Sequence, residues 1–308
     1  EICEHWDIRR MRYARSQKKR LTHRRALTAK AVGGQKRQPE CRTDNNDPQK
    51  AKKRRAAKPL RTLRRAEKGT YIEIMTDNPI LECRALTKTY GSNRGLDNFT
   101  AALPKGKIIG LLGPNGSGKT TLIKLCAGLL RPTSGEILVD GIPVGAETKG
   151  MVSYLSERPC LDTSMRVENA IEFYRDFFSD FDEGRARNML ESLHVDTSMR
   201  INYLSKGNRE KVQLVMVMSR RAKLYLLDEP IGGVDPATRD YILKTIISNF
   251  CEDSTVIIST HLIADVENIL DEFMFISDGK LTLYNNCDNV RSELGKSLDT
   301  LFREVFRC

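Results

Sequence analysis

The sequence predicts an α/β domain with a mainly parallel sheet and a helical subdomain inserted in it. Three observations carry this reading. From residue 80 onward, short apolar runs recur at 80–86, 107–112, 137–139, 152–155, 224–227, 255–259 and 273–276. Stretches with helical periodicity, such as 119–130 and 235–250, lie between or after several of these runs. Strands that alternate with helices build a parallel sheet with helices on its faces. The block 166–193 breaks the alternation: VENAIEFYRDFF and then EGRARNMLESL read as consecutive helices with no strand between them.

Composition bounds the class. The chain has 308 residues, 40% hydrophobic and 30% charged, which is globular and leaves room for one large domain or two ordinary ones. No apolar run reaches the roughly 18 to 20 residues of a membrane span, so the chain is not expected to cross a bilayer by itself. Eight cysteines, spread from Cys3 to Cys308 without a close pair, are too sparse for a disulfide scaffold and lack zinc-site spacing. They suit a reducing cytoplasm.

The net charge of +11 is unevenly placed. Residues 1–74 hold 23 Lys and Arg against 8 Asp and Glu, a net of +15, whereas 75–308 carry a net of −4. The first segment has basic clusters such as Lys18-Lys19-Arg20 and Lys52-Lys53-Arg54-Arg55, prolines at 39, 48 and 59, and few apolar residues. Such a segment buries too little surface to offset its ordering entropy, so a disordered or non-native extension is expected. It lacks the apolar stretch of a secretory signal and the clear amphipathic stripe of a transit peptide. The sequence begins at Glu1, and Met75 stands just ahead of the first alternating strand. The native start is therefore expected near Met75, with the working domain over 75–308. A basic arm that touches nucleic acid or anionic lipid is the other role open to 1–74.

The strongest motif is GPNGSGKTT: Gly113, Pro114, Asn115, Gly116, Ser117, Gly118, Lys119, Thr120 and Thr121. It matches G-x-x-x-x-G-K-[ST] between an apolar strand and a helix, where backbone N–H groups and the helix dipole cradle phosphate. Lys119 is placed to reach the β- and γ-phosphates of a nucleotide, and the Thr120 hydroxyl to bind Mg²⁺. The plain alternative is a glycine turn before a helix, which the register of strand and helix disfavours. Downstream, KLYLLDEP at 223–230 carries two acids to the C-terminal tip of an apolar strand, where ligands bind in open α/β sheets. Asp228 is placed to hold Mg²⁺, and Glu229 to accept a proton from attacking water or to orient it. One acid there would read as a helix cap; two adjacent acids downstream of a phosphate loop are far more specific.

Between these motifs, LSKGN at 204–208 opens the helical stretch REKVQLVMVM. Ser205 can cap that helix, and Gly207 leaves room for backbone to approach a phosphate. With the three motifs in this order, the stretch from about 80 to 284 resembles the nucleotide-binding subunits of ATP-binding cassette (ABC) proteins, whose signature is LSGGQ. The resemblance implies a P-loop NTPase cassette with an antiparallel β edge and a helical subdomain at about 158–215. It implies that Tyr90 in KTYG stacks on adenine and that Asp235 in GGVDP communicates across a dimer. It also implies that His261 in STHL contacts the γ-phosphate, which makes Lys119, Glu229 and His261 the catalytic set. Taken singly, Tyr90 would read as core and His261 as a surface cap. Two departures stand out. Glu157 in YLSERP occupies the usual position of a Gln, and its carboxylate can still bind Mg²⁺ or orient water. Lys206 and Asn208 replace Gly and Gln in the signature, while the contacting Ser205 and Gly207 remain. Cassette subunits of drug, lantibiotic and other small exporters look similar at both places.

The resemblance therefore implies the ATP-hydrolysing subunit of a membrane transporter, an exporter by the same likeness. ATP and Mg²⁺ would sit between two cassettes, in a homo- or heterodimer. The permease would be a separate polypeptide, which places this subunit in the cytoplasm against the inner face of the plasma membrane. Phe173, Tyr174, Phe177, Phe178 and Phe181 read equally as subdomain core and as part of a permease-docking face. The alternative is a soluble cassette ATPase that acts on nucleic acid or ribosomes through 1–74. A single phosphate loop speaks against the translation-associated type, which carries two cassettes. Only 85 positions separate Lys119 from Leu204, with no heptad array for the long coiled coils of chromosome-associated members. The charge of 75–308 also speaks against a nucleic-acid partner. A regulatory or immunity ATPase with little transport of its own is a third reading. Beyond Tyr284 no motif is legible, and a short helical C-terminal cap is expected.

Overall fold

The computed structural model describes residues 78–306 apart from Pro159 and Glu252. The expectations for 1–74 and for a start at Met75 lie outside the described residues.

Two sheets organise the described chain. The first is antiparallel: β1 (Leu81–Tyr90), β2 (Asn93–Leu103), β4 (Ser134–Val139) and the short β5 (Ile142–Pro143) in the order β2-β1-β4-β5. The second holds β3 (Ile108–Leu112), β6 (Val152–Leu155), β7 (Leu224–Asp228), β8 (Thr255–Thr260), β9 (Glu272–Ser277) and β10 (Lys280–Asn286), in the order β10-β9-β3-β8-β7-β6. Five of these strands run parallel, and β10 closes the edge antiparallel to β9. Every residue of β3, β7 and β8 is buried, which is why β3 and β7 read as near-continuous apolar runs rather than as alternating ones, while β8 also buries Thr255, Ser259 and Thr260. Asp278-Gly279 and Asp140-Gly141 join β9 to β10 and β4 to β5, both residues of each pair having positive φ, as two-residue hairpin turns require.

Helices cover both faces. α1 (Lys119–Cys126) packs Leu122, Ile123 and Leu125 into a cluster with Leu81 and Phe99 of the antiparallel sheet and Leu111 and Ile257 of the parallel one. It is shorter than the periodicity of 119–130 suggests. Gly128 turns to φ 68, and the N–H groups of Leu129 and Leu130 fold back on the Lys124 carbonyl. On the opposite face lie α5 (Pro236–Asn249), one-turn helices at Ile263–Val266 (α6) and Cys287–Asn289 (α7), and α8 (Leu298–Phe306). Ile242, Ile246, Val266 and Leu298 meet Leu227 and Phe275 there.

The segment between β6 and β7 is helical: α2 (Val167–Phe177), α3 (Glu183–Ser192) and α4 (Lys206–Met218). Val167, Ile171, Leu190, Val212 and Met216 form its own apolar cluster. α4 is shared between two cores, because Leu214, Val217 and Met218 turn instead toward the sheet. Just past its end, buried Arg220 donates to the carbonyls of Val152 (2.7 Å) and Gly150 (3.0 Å) and pairs with Asp180 (3.1 Å). Tyr174 packs at a tilt against Phe178 and Phe181 within the segment, while Phe177 is exposed at its surface. Among the described residues no helix is long and apolar enough to cross a membrane.

Candidate nucleotide site

Four neighbouring parallel strands deliver the predicted groups to one edge. The strand order β3-β8-β7-β6 brings the 113–119 loop after β3, His261 after β8, Asp228 and Glu229 at the tip of β7, and Glu157 after β6. Parallel pairing keeps all four C-terminal ends on the same side.

The loop itself is set by backbone geometry. Gly118, the residue before α1, has φ 109, and a Cβ there would lie 2.4 Å from the Gly95 carbonyl oxygen. No other residue type fits both constraints. Lys119 is the first residue of the helix and is buried, and its ammonium donates to the carbonyls of Gly113 (2.8 Å) and Pro114 (3.2 Å). Burial pushes its pKa down, opposed by the charges of Glu229, Asp228 and Glu157. The Ser117 hydroxyl is buried with no hydrogen-bond partner among the described residues. Tyr90, 45% exposed, reaches this corner: its ring and Thr121 both abut Gly95, where a Cβ would meet Tyr90 Cε2 at 2.8 Å and Thr121 Oγ1 at 3.1 Å.

The two acids divide their roles by environment. Asp228 is buried, and one carboxylate oxygen accepts from Thr120 Oγ1 (3.1 Å) and Ser259 Oγ (2.7 Å). Its other oxygen is buried with no partner among the described residues. Desolvation raises its pKa, the Ser259 and Thr120 hydroxyls opposing this. Glu229 follows with φ 49, an uncommon conformation for a residue with a side chain and one that concentrates at functional sites. Its N–H donates to Ser259, to both the carbonyl and the hydroxyl oxygen, at 3.0 Å each. The turn aims its carboxylate at 3.1 Å from His261 Nδ1 and 3.8 Å from Lys119 Nζ.

These residues suit a magnesium nucleotide. Among the described residues no cluster of three or more His, Cys, Asp or Glu is arranged to hold a metal alone. Mg²⁺ needs no such cage, because it binds through one or two protein oxygens together with phosphate oxygens and water. The Thr120 hydroxyl and the unpartnered Asp228 oxygen are the pair that would hold it. The raised pKa has a testable sign. Below its ordinary value of 3.8 Asp228 is neutral in both states, and stability is lost as pH rises through the higher folded value. Asp228→Asn should therefore melt above the wild type at pH 7 without nucleotide, by about 2–4 °C for each kcal/mol of charge burial relieved. The difference should close near pH 4, and stabilisation by magnesium nucleotide should vanish; a variant that melts below wild type at pH 7 would overturn the assignment.

The signature makes its own set of contacts. Ser205 caps α4, its hydroxyl accepting from Asn208 N–H at 3.2 Å. Gly207 packs on the start of α5, where a Cβ would lie 3.2 Å from Thr238 Oγ1 and 3.6 Å from Asp235 Oδ2. Asp235 caps α5 by accepting from the N–H (2.9 Å) and the hydroxyl (2.7 Å) of Thr238. The structure thus joins Ser205, Gly207 and Asp235 in one group and the phosphate loop, Asp228, Glu229 and His261 in another. Sequence reasoning missed two positioning residues. Ser259 holds both acids, and its signal was a polar residue in a buried run. Gln213, also buried, donates to the Ser156 carbonyl (3.4 Å) beside Glu157 from within α4; an amide in an apolar helix was the sign.

A phosphate loop, paired acids at the next strand but one and a histidine between them define a P-loop nucleoside triphosphatase. Comparison with known proteins narrows the class. The ABC transporter family model matches residues 96–232. The uncharacterized ABC transporter ATP-binding protein YdbJ of Bacillus subtilis is 31% identical over 212 residues, covering 66% of this chain and 68% of that protein. The SkfA peptide export ATP-binding protein SkfE of the same organism is 29% identical over 209 residues, covering 66% of this chain and 87% of its own. A solved structure of the ATP-binding subunit of an ABC transporter superposes with a TM-score of 0.68 at 27% identity, covering 74% of this chain and 99% of that one. The chain belongs to the ATP-binding proteins of ABC transporters. Its activity is ATP hydrolysis.

Proposed function

We propose that this subunit powers export of a peptide-like cargo through a separate permease, as one of two cassettes that close on ATP. The observation that carries the reading is the separation of the site into two groups on one chain. The phosphate loop with Glu229 forms one half of a nucleotide site, and the Ser205 helix end, packed on the Asp235 loop, is the other half offered to a second cassette. The SkfE likeness favours peptide export. The basic segment behind the nucleic-acid alternative lies outside the described residues. Anchored by its permease, the subunit would lie at the cytoplasmic face of the plasma membrane.

In this reading Lys119 and the 113–118 amides bind the phosphates, Tyr90 stacks on the base, and Thr120 and Asp228 hold Mg²⁺. Bound Mg²⁺ would neutralise charge on the phosphates. Glu157 stands beside them as a further carboxylate for metal or water. Glu229 takes the proton of the attacking water, and His261, 3.1 Å from its carboxylate, orients it. The test is purification of tagged chain from detergent-solubilised membranes. A polytopic membrane protein that co-purifies and raises ATP turnover is the expected result. Recovery with ribosomes or nucleic acid instead would overturn the transporter reading.

A further inference from the structure

The signature departs from its family pattern at Lys206, and the structure gives that lysine a partner. Lys206 is the first residue of α4, and its ammonium donates to the Gly233 carbonyl at 2.9 Å. Gly233 has φ 70, and a Cβ on it would lie 3.0 Å from Lys206 Nζ, so the lysine fits against that residue. Glu210, one helical turn on, sits 3.8 Å from the same ammonium. The adjoining Gly232 closes the turn that begins at Glu229: its N–H donates to the Glu229 carbonyl at 3.1 Å. One short path of contacts therefore runs from the signature helix, through Lys206 and the 229–233 turn, to the strained backbone of Glu229.

We propose that Lys206 is a positioning residue for hydrolysis, which fixes the turn that aims the Glu229 carboxylate. This rests on the two-cassette reading, because there Lys206 stands beside the residues that face the partner's nucleotide. Its bond to Gly233 then ties that half-site to the catalytic acid of its own chain. A glycine at 206 provides no such tie. The side chain itself is 65% exposed, so its loss costs little global stability.

Lys206→Met and Lys206→Arg in the full chain test this. Lys206→Met should lower kcat about fivefold, close to 1 kcal/mol, with KM for ATP changed less than about twofold. Lys206→Arg, which keeps a donor, should recover most of that loss. In the unliganded chain, amide exchange of Gly232 to Asp235 should quicken several-fold in Lys206→Met while β7 stays protected. Unchanged kcat, unchanged exchange, or an equal loss in both variants overturns the proposal. A rise in KM as large as the fall in kcat would place Lys206 on the nucleotide instead. Exchange is read without ATP, so a failure of the transporter reading leaves that result standing.

Discussion

Glu229→Gln binds magnesium ATP with wild-type affinity and hydrolyses it at least about 100-fold more slowly. That is the result expected if Glu229 is the general base proposed above and is replaced by an isosteric amide, a loss in the usual range of 10²–10⁴. The geometry makes the experiment clean. The Glu229 backbone is fixed by Ser259, which accepts its N–H at 3.0 Å, separately from the carboxylate's contacts with His261 and Lys119. The amide keeps the size of the side chain, so the turn, Asp228 and the phosphate loop should stay in place. Equilibrium titration with a fluorescent nucleotide and steady-state phosphate release separate the two effects. Normal turnover in the variant would remove Glu229 from the chemistry and leave its positive φ without an explanation.

Lys119→Ala should instead lose binding, by at least about 30-fold in Kd, the equivalent of some 2 kcal/mol. Two terms add. The proposed ammonium contact with the phosphates goes, and the loop loses the tether that draws the carbonyls of Gly113 and Pro114 together. The acids then face the phosphates without a buried cation between them, so residual binding should depend more steeply on Mg²⁺. Calorimetric titration at two Mg²⁺ concentrations measures both. Wild-type affinity would show that the lysine only braces the empty loop.

What the sequence could tell depended on how local the signal was. The phosphate loop was legible because its glycines, lysine and threonine are contiguous and sit between a strand and a helix. Asp228 and Glu229 were legible because the buried strand that carries them is an unbroken apolar run. β2 carries no strand pattern in its sequence: Asn93–Leu103 lacks clean alternation, with irregular register against β1. The apolar pattern overstates the reach of α1 because Leu129 and Leu130 continue it beyond Gly128, where φ turns positive. Ser259 and Lys206 act through partners 31 and 27 positions away, and such pairings follow from topology, which no local pattern records.

The order β3-β8-β7-β6 also acts as a ruler. Adjacent strands are held about 4.8 Å apart by main-chain hydrogen bonds, whatever their side chains. The spacing from phosphate loop to histidine to paired acids to Glu157 is therefore written in the ladder and not in the core residues. Apolar side chains on both faces can be exchanged for others of similar volume without moving the chemistry. Relatives that share only 27–31% of their residues with this chain can thus keep one common geometry at the strand tips.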